Sequence, residues 1–101
     1  MPKQQSTLSS KEIGARLERA RAIMGLSTQK AMADRLGANV AQYNNWERGA
    51  QIIPVAFAAK LCPYGFSLDY IYMGDLSNLP VRIVALLEER SAGQASQAAS
   101  Q

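Results

Sequence analysis

Apolar residues recur at helical spacing along most of the chain, and glycines or prolines interrupt them at short intervals. The first stripe is Ile13, Leu17, Ala20 and Met24, which predicts a helix opened by Ser9 or Ser10 and ended by Gly25. Arg16, Glu18 and Arg19 lie off that stripe. Ser27 or Thr28 is placed to cap a second helix, Gln29 to Leu36, with Met32, Ala33 and Leu36 inward. Gly37 suits a left-handed residue that reverses the chain, and Asn39 suits the cap of a third helix running to about Glu47 and closed by Gly49. A partly exposed link, residues 50–53, follows. Pro54 fits the first turn of a fourth helix that reaches about Cys62, where Pro63 and Gly65 break it. Ser67 caps a short fifth helix with Leu68, Ile71 and one of Tyr70 and Tyr72 inward. Asn78-Leu79-Pro80 opens a last helix, Val81 to Arg90, with Val81, Val84 and Leu86 or Leu87 on its apolar face. No period-2 run and no internal repeat stands out. The expected fold is all-α: a compact bundle of about five short helices plus a C-terminal helix.

Residues 1–9 are polar and aperiodic, which predicts a disordered arm ahead of a helical domain over 10–75. Residues 76–90 read as a C-terminal helix available for dimerisation, and residues 91–101 as a disordered Ala/Ser/Gln/Gly tail. About 80 residues then remain to build a core, a size at which a second copy helps stability.

Charge divides the chain. Residues 1–62 hold nine Lys/Arg against four acids, a net +5, and residues 63–101 hold two against four, a net −2. A basic front half suits a protein that turns one side to a polyanion. The chain has a single cysteine, Cys62, and no histidine. No internal disulfide, Cys/His zinc site or Ser–His or Cys–His catalytic pair can therefore form. Cys62, in an apolar run, reads as a buried small hydrophobe. No catalytic residue, metal ligand, cofactor or small-molecule ligand is expected. The polar N-terminus and the lack of a long apolar run predict a soluble intracellular protein with no membrane partner.

The most informative segment is GANVAQYNNWERG, residues 37–49. At about 100° per residue, Val40, Ala41, Asn44 and Asn45 share one side of the third helix, with Tyr43 and Trp46 on the other. The aromatic side is suited to burial. The side of amides and methyls is suited to contact. A second helix, a turn of about three residues and a third helix of this kind form the helix-turn-helix pattern.

These residues carry a family resemblance. IGARLERARAIMGLS, MADRLGANVAQYNNWERG and GFSLDYIYMGD, between Ile13 and Asp75, resemble the Cro/C1-type (XRE, phage-repressor-like) helix-turn-helix domain over about three fifths of the chain. Against that pattern the loop before the second helix and the link from Gly49 to Pro54 are each one residue longer. The fourth helix is about two residues short, ending at Cys62-Pro63. The resemblance implies a lambda-repressor-like bundle with the third helix in the DNA major groove. Val40, Ala41, Asn44 and Asn45 would read bases, with Asn39 and Gln42 at the margins. Gln29 and the start of the second helix would meet phosphate, with Arg48, and more weakly Lys30 and Gln51, as further phosphate partners. Arg21 and Glu47 would form a structural ion pair.

The implied protein is a sequence-specific double-stranded-DNA-binding regulator, a repressor acting as a homodimer on a pseudo-palindromic operator, cytoplasmic and encoded by a bacterium or phage. Amides suit adenine and methyls suit thymine, and the sequence puts no cation on the reading face, so an A·T-rich half-site is expected. Two alternatives share the fold: an antitoxin that autoregulates its operon, and a protein-interaction module without DNA binding.

Overall fold

The computed structural model describes residues 8–99, with side chains placed for residues 8–90. Most of the arm expected over residues 1–9 lies outside the described residues. The elements are α1 (Ser10–Ile23), α2 (Gln29–Leu36), α3 (Val40–Glu47), α4 (Val55–Ala58) continuing as a 3₁₀ turn (Ala59–Tyr64), α5 (Leu68–Met73) and α6 (Val81–Ala99). No strand occurs among the described residues. The fold is an all-α bundle.

Side-chain caps start four of these helices. Ser9 Oγ accepts from the Glu12 N–H at 3.2 Å, Thr28 Oγ1 from Ala31 at 3.1 Å and Ser67 Oγ from Tyr70 at 3.0 Å. At α3 the cap is reciprocal: Asn39 Oδ1 accepts from the Gln42 N–H at 2.8 Å, and Gln42 Oε1 accepts from the Asn39 N–H at 3.2 Å. Each cap satisfies backbone donors that the first turn of a helix leaves open. Gly37, at φ 76°, ends α2 in the left-handed region and turns the chain into α3 within three residues.

The core is one cluster. Ile13, Leu17 and Ala20 of α1 meet Met32, Ala33 and Leu36 of α2, Tyr43 and Trp46 of α3, and Ile53, Leu61, Phe66 and Ile71 beyond them. Trp46 lies edge-on to Tyr43 (centroids 6.2 Å apart) and packs on Phe57 at 5.0 Å. The helix crossing that fixes α3 depends on Gly14. A β-carbon there would lie 2.2 Å from the Glu47 carbonyl oxygen and 2.7 Å from that of Trp46, so α1 and the end of α3 touch backbone to backbone.

Several expectations need correction. Met24 caps the end of α1, half-buried, and so falls at the edge of the core stripe. Pro54 stands just before α4, and the helix tightens to 3₁₀ geometry after Ala58. With about three residues per turn, Ala58 and Leu61 face inward and Cys62 is exposed. On α6 the inward residues are Ile83 and Leu87, four apart, with Leu79 just before the helix, while Val81 is 85% exposed. Residues 76–90 thus fold back onto their own domain. Helix α6 also continues to Ala99 through the stretch expected to be a disordered tail. Once the packed first turns supply the nucleus, Ala, Gln and Ser residues propagate a helix at little cost.

Candidate nucleic-acid interface

Helix α3 is anchored from beneath by a polar cluster. Arg21 Nε and Nη2 donate to Glu47 Oε2 and Oε1 at 2.8 and 3.2 Å, a two-point ion pair between α1 and α3. Tyr43 Oη donates to Glu47 Oε2 at 2.7 Å, and Gln29 Nε2 donates to Glu47 Oε1 at 2.8 Å. Arg21 also donates to the Leu26 carbonyl at 3.2 Å, which ties in the loop before α2. The Glu47 side chain is only 8% exposed and its partner Arg21 15%.

Electrostatics in this cluster follow from burial and donors. Desolvation pushes the Glu47 pKa up, but hydrogen bonds from Arg21, Gln29 and Tyr43 and the charge of Arg21 outweigh it, leaving it below its ordinary 4.5. The hydrogen bond to Glu47 raises Arg21 against the opposing effect of burial. Burial first, and then the adjacent carboxylate, hold Tyr43 well above the usual phenol range.

Above this anchor, Val40 (45% exposed), Ala41 and Gln42 are exposed, while Asn44 and Asn45 are half-buried on the same helix. The amides are not equivalent. Asn39 and Gln42 each spend an oxygen lone pair on the other's backbone N–H. Asn45 Oδ1 accepts from Arg48 Nε and Nη2 at 3.3 and 3.1 Å. Bidentate adenine recognition needs a free oxygen and a free N–H on one amide. Of the amides on α3, Asn44 is the one whose side chain makes no hydrogen bond among the described residues.

Several assigned roles shift. The Gln29 side chain, expected on phosphate, is committed to Glu47, because it opens α2 directly over that carboxylate. What Gln29 and Lys30 still offer an anion is the pair of first-turn backbone N–H groups of α2. Lys30 pairs with Asp34 at 3.1 Å on an open surface, where such a pair is weak and easily exchanged. Arg48 is exposed but leans on Asn45, so the outer face of α3 has a guanidinium at its edge, contrary to the cation-free surface read from sequence. Gln51 is exposed, and its N–H donates to the Asn45 carbonyl at 3.2 Å.

Two contributors escape sequence reading. Gly14 sets how closely α1 approaches α3, and an isolated glycine inside an apolar-periodic helix is the signal that could have found it. Lys11 lays its stem against Gly49, next to Arg48, a contact that no local pattern announces.

No family profile, no curated protein and no solved structure matches the chain. Among the described residues no helix is long and apolar enough to cross a membrane.

Proposed function

We propose that the protein is a sequence-specific double-stranded-DNA-binding transcriptional regulator, a cytoplasmic repressor that acts as a homodimer. The observation that carries this reading is α3 itself. Its Tyr43, Trp46 and Glu47 are locked into the core while Val40, Ala41, Asn44 and Asn45 line the opposite, accessible side. A short helix held rigidly with small groups outward can approach base edges without a side-chain clash.

In this reading Val40 and Ala41 meet thymine methyls and Asn44 pairs with adenine. The α2 N-terminus, Lys30, Arg48 and Gln51 hold the backbone, and Arg48 doubles as the positioner of Asn45. Because Ile83 and Leu87 are taken up internally, a second copy would use the exposed Ile52, Val55 and Met73. Selection of binding sites from random duplexes tests the proposal. The expected product is an inverted repeat with A·T pairs at the α3 positions and half-sites about one helical turn apart. Recovery of no enriched sequence, or of G·C-rich half-sites at those positions, overturns it.

A further inference from the structure

A second opening lies on the far side of α1 from the Arg21–Glu47 anchor. It is an open cleft of about 350 Å³ between α1, α5, the loop that follows α5 and the second turn of α6, within the size range of small-molecule sites. Arg16, Arg19 and Tyr70 form one wall, and Leu76 and Leu87 form another. Glu88, exposed, is the one acid lining it among the described residues.

Two observations mark this cavity as unfinished. The Tyr70 hydroxyl is fully buried, in a residue only 3% exposed, and has no hydrogen-bond partner among the described residues. Buried hydroxyls are nearly always satisfied, so an orphan on a residue that lines a cleft needs an explanation. The second is charge. Arg16 is occupied by the Ile71 carbonyl at 3.1 Å and by Glu12 at 3.3 Å, and Arg90 by Glu18 at 3.2 Å. Arg19, half-buried, forms no ion pair among the described residues. Burial raises the Tyr70 pKa, while Arg19, by its charge and by a hydrogen-bonding approach too loose to count as a formed bond, and then the charges of Arg16 and Arg90 act against that rise, so all three guanidinium groups stand near the phenol.

We propose that this cavity binds a small organic anion, its carboxylate on Arg19 and the Tyr70 hydroxyl and its apolar body against Leu76 and Leu87. The hydroxyl donates to the carboxylate, and Arg19, which forms no ion pair among the described residues, supplies the charge. The leucines favour an anion with an apolar body over a bare inorganic one. The site is independent of the DNA-binding reading and can be tested without DNA.

Benzoate is the probe, followed by thermal unfolding and by NMR of the Tyr70 ring and the Leu87 methyls. For a ligand this small a Kd of about 1 mM is expected. Benzamide, which lacks the charge, and inorganic phosphate, which lacks the body, should each bind at least about tenfold more weakly. Arg19→Gln should weaken benzoate about tenfold or more. Tyr70→Phe removes only an unpartnered hydroxyl, so the domain should fold, and benzoate binding should fall severalfold. The proposal is overturned if benzoate leaves the Tyr70 and Leu87 signals unmoved, or if benzamide or phosphate binds as well as benzoate. It is equally overturned if Tyr70→Phe leaves benzoate affinity unchanged.

Discussion

Among the described residues Glu47 gathers more of this structure than any other side chain, accepting from Arg21, Gln29 and Tyr43 at once. Its pKa is lowered on folding, so its contribution is present above the ordinary 4.5 and is lost as pH falls through the lower folded value. Glu47→Gln should cost about 3 kcal/mol at neutral pH by stranding the Arg21 charge. It should also flatten the loss of stability between about pH 5 and pH 2, which urea titrations across that range would measure. Asn45 and Arg48 are the second residue-scale test. Asn45→Ala should relax preference at one base pair by about 1–3 kcal/mol, and Arg48→Ala should weaken binding to every sequence. Because the two side chains touch at 3.1 Å, the double mutant should lose less than the sum of the singles. Strict additivity in a fluorescence-anisotropy cycle would show that the contact plays no part on DNA.

At the scale of elements, periodicity located every helix, but tertiary contact chose the face that α6 presents. An apolar face of Val81, Val84 and one of Leu86 and Leu87 is compatible with the pattern, yet Leu79, Ile83 and Leu87 are what meet the core. Two registers of one apolar-rich helix differ little in sequence signal, and the partner surface decides between them. Ile83→Ala should therefore cost about 2–4 kcal/mol, whereas Val81→Ala should stay within about 0.5 kcal/mol of wild type. Denaturant unfolding of the two variants distinguishes the registers, and a reversed order would refute this packing. The 3₁₀ turn at Ala59–Tyr64 is a similar case. A change of period from 3.6 to 3.0 moves Cys62 outward, and a pattern read with the α-helical period cannot register it.

For the whole molecule, the basic front half belongs to the elements that frame α3, including Lys11 against Gly49 and Lys30 on α2. If a dimer lays about six such cations on phosphate, affinity for its operator should fall about a thousandfold between about 50 and 200 mM salt. A nearly flat salt dependence in equilibrium titrations would rule out that footprint. The sequence by itself determined the all-α class, the capped starts of the helices, the turn at Gly37 and the division of α3 into a buried aromatic side and an outward amide side. These are local properties, fixed by cap chemistry, backbone conformation and a 3.6-residue period. Only the tertiary structure decided that Gln29 turns to Glu47, that Asn45 is shared with Arg48, that Gly14 admits the α3 backbone and that α6 folds home. Each depends on residues far apart in the chain or on a choice among rotamers, and no local rule encodes which partner arrives first. The amide face read from Gly37 to Gly49 thus keeps its place, but its oxygens are unequally free.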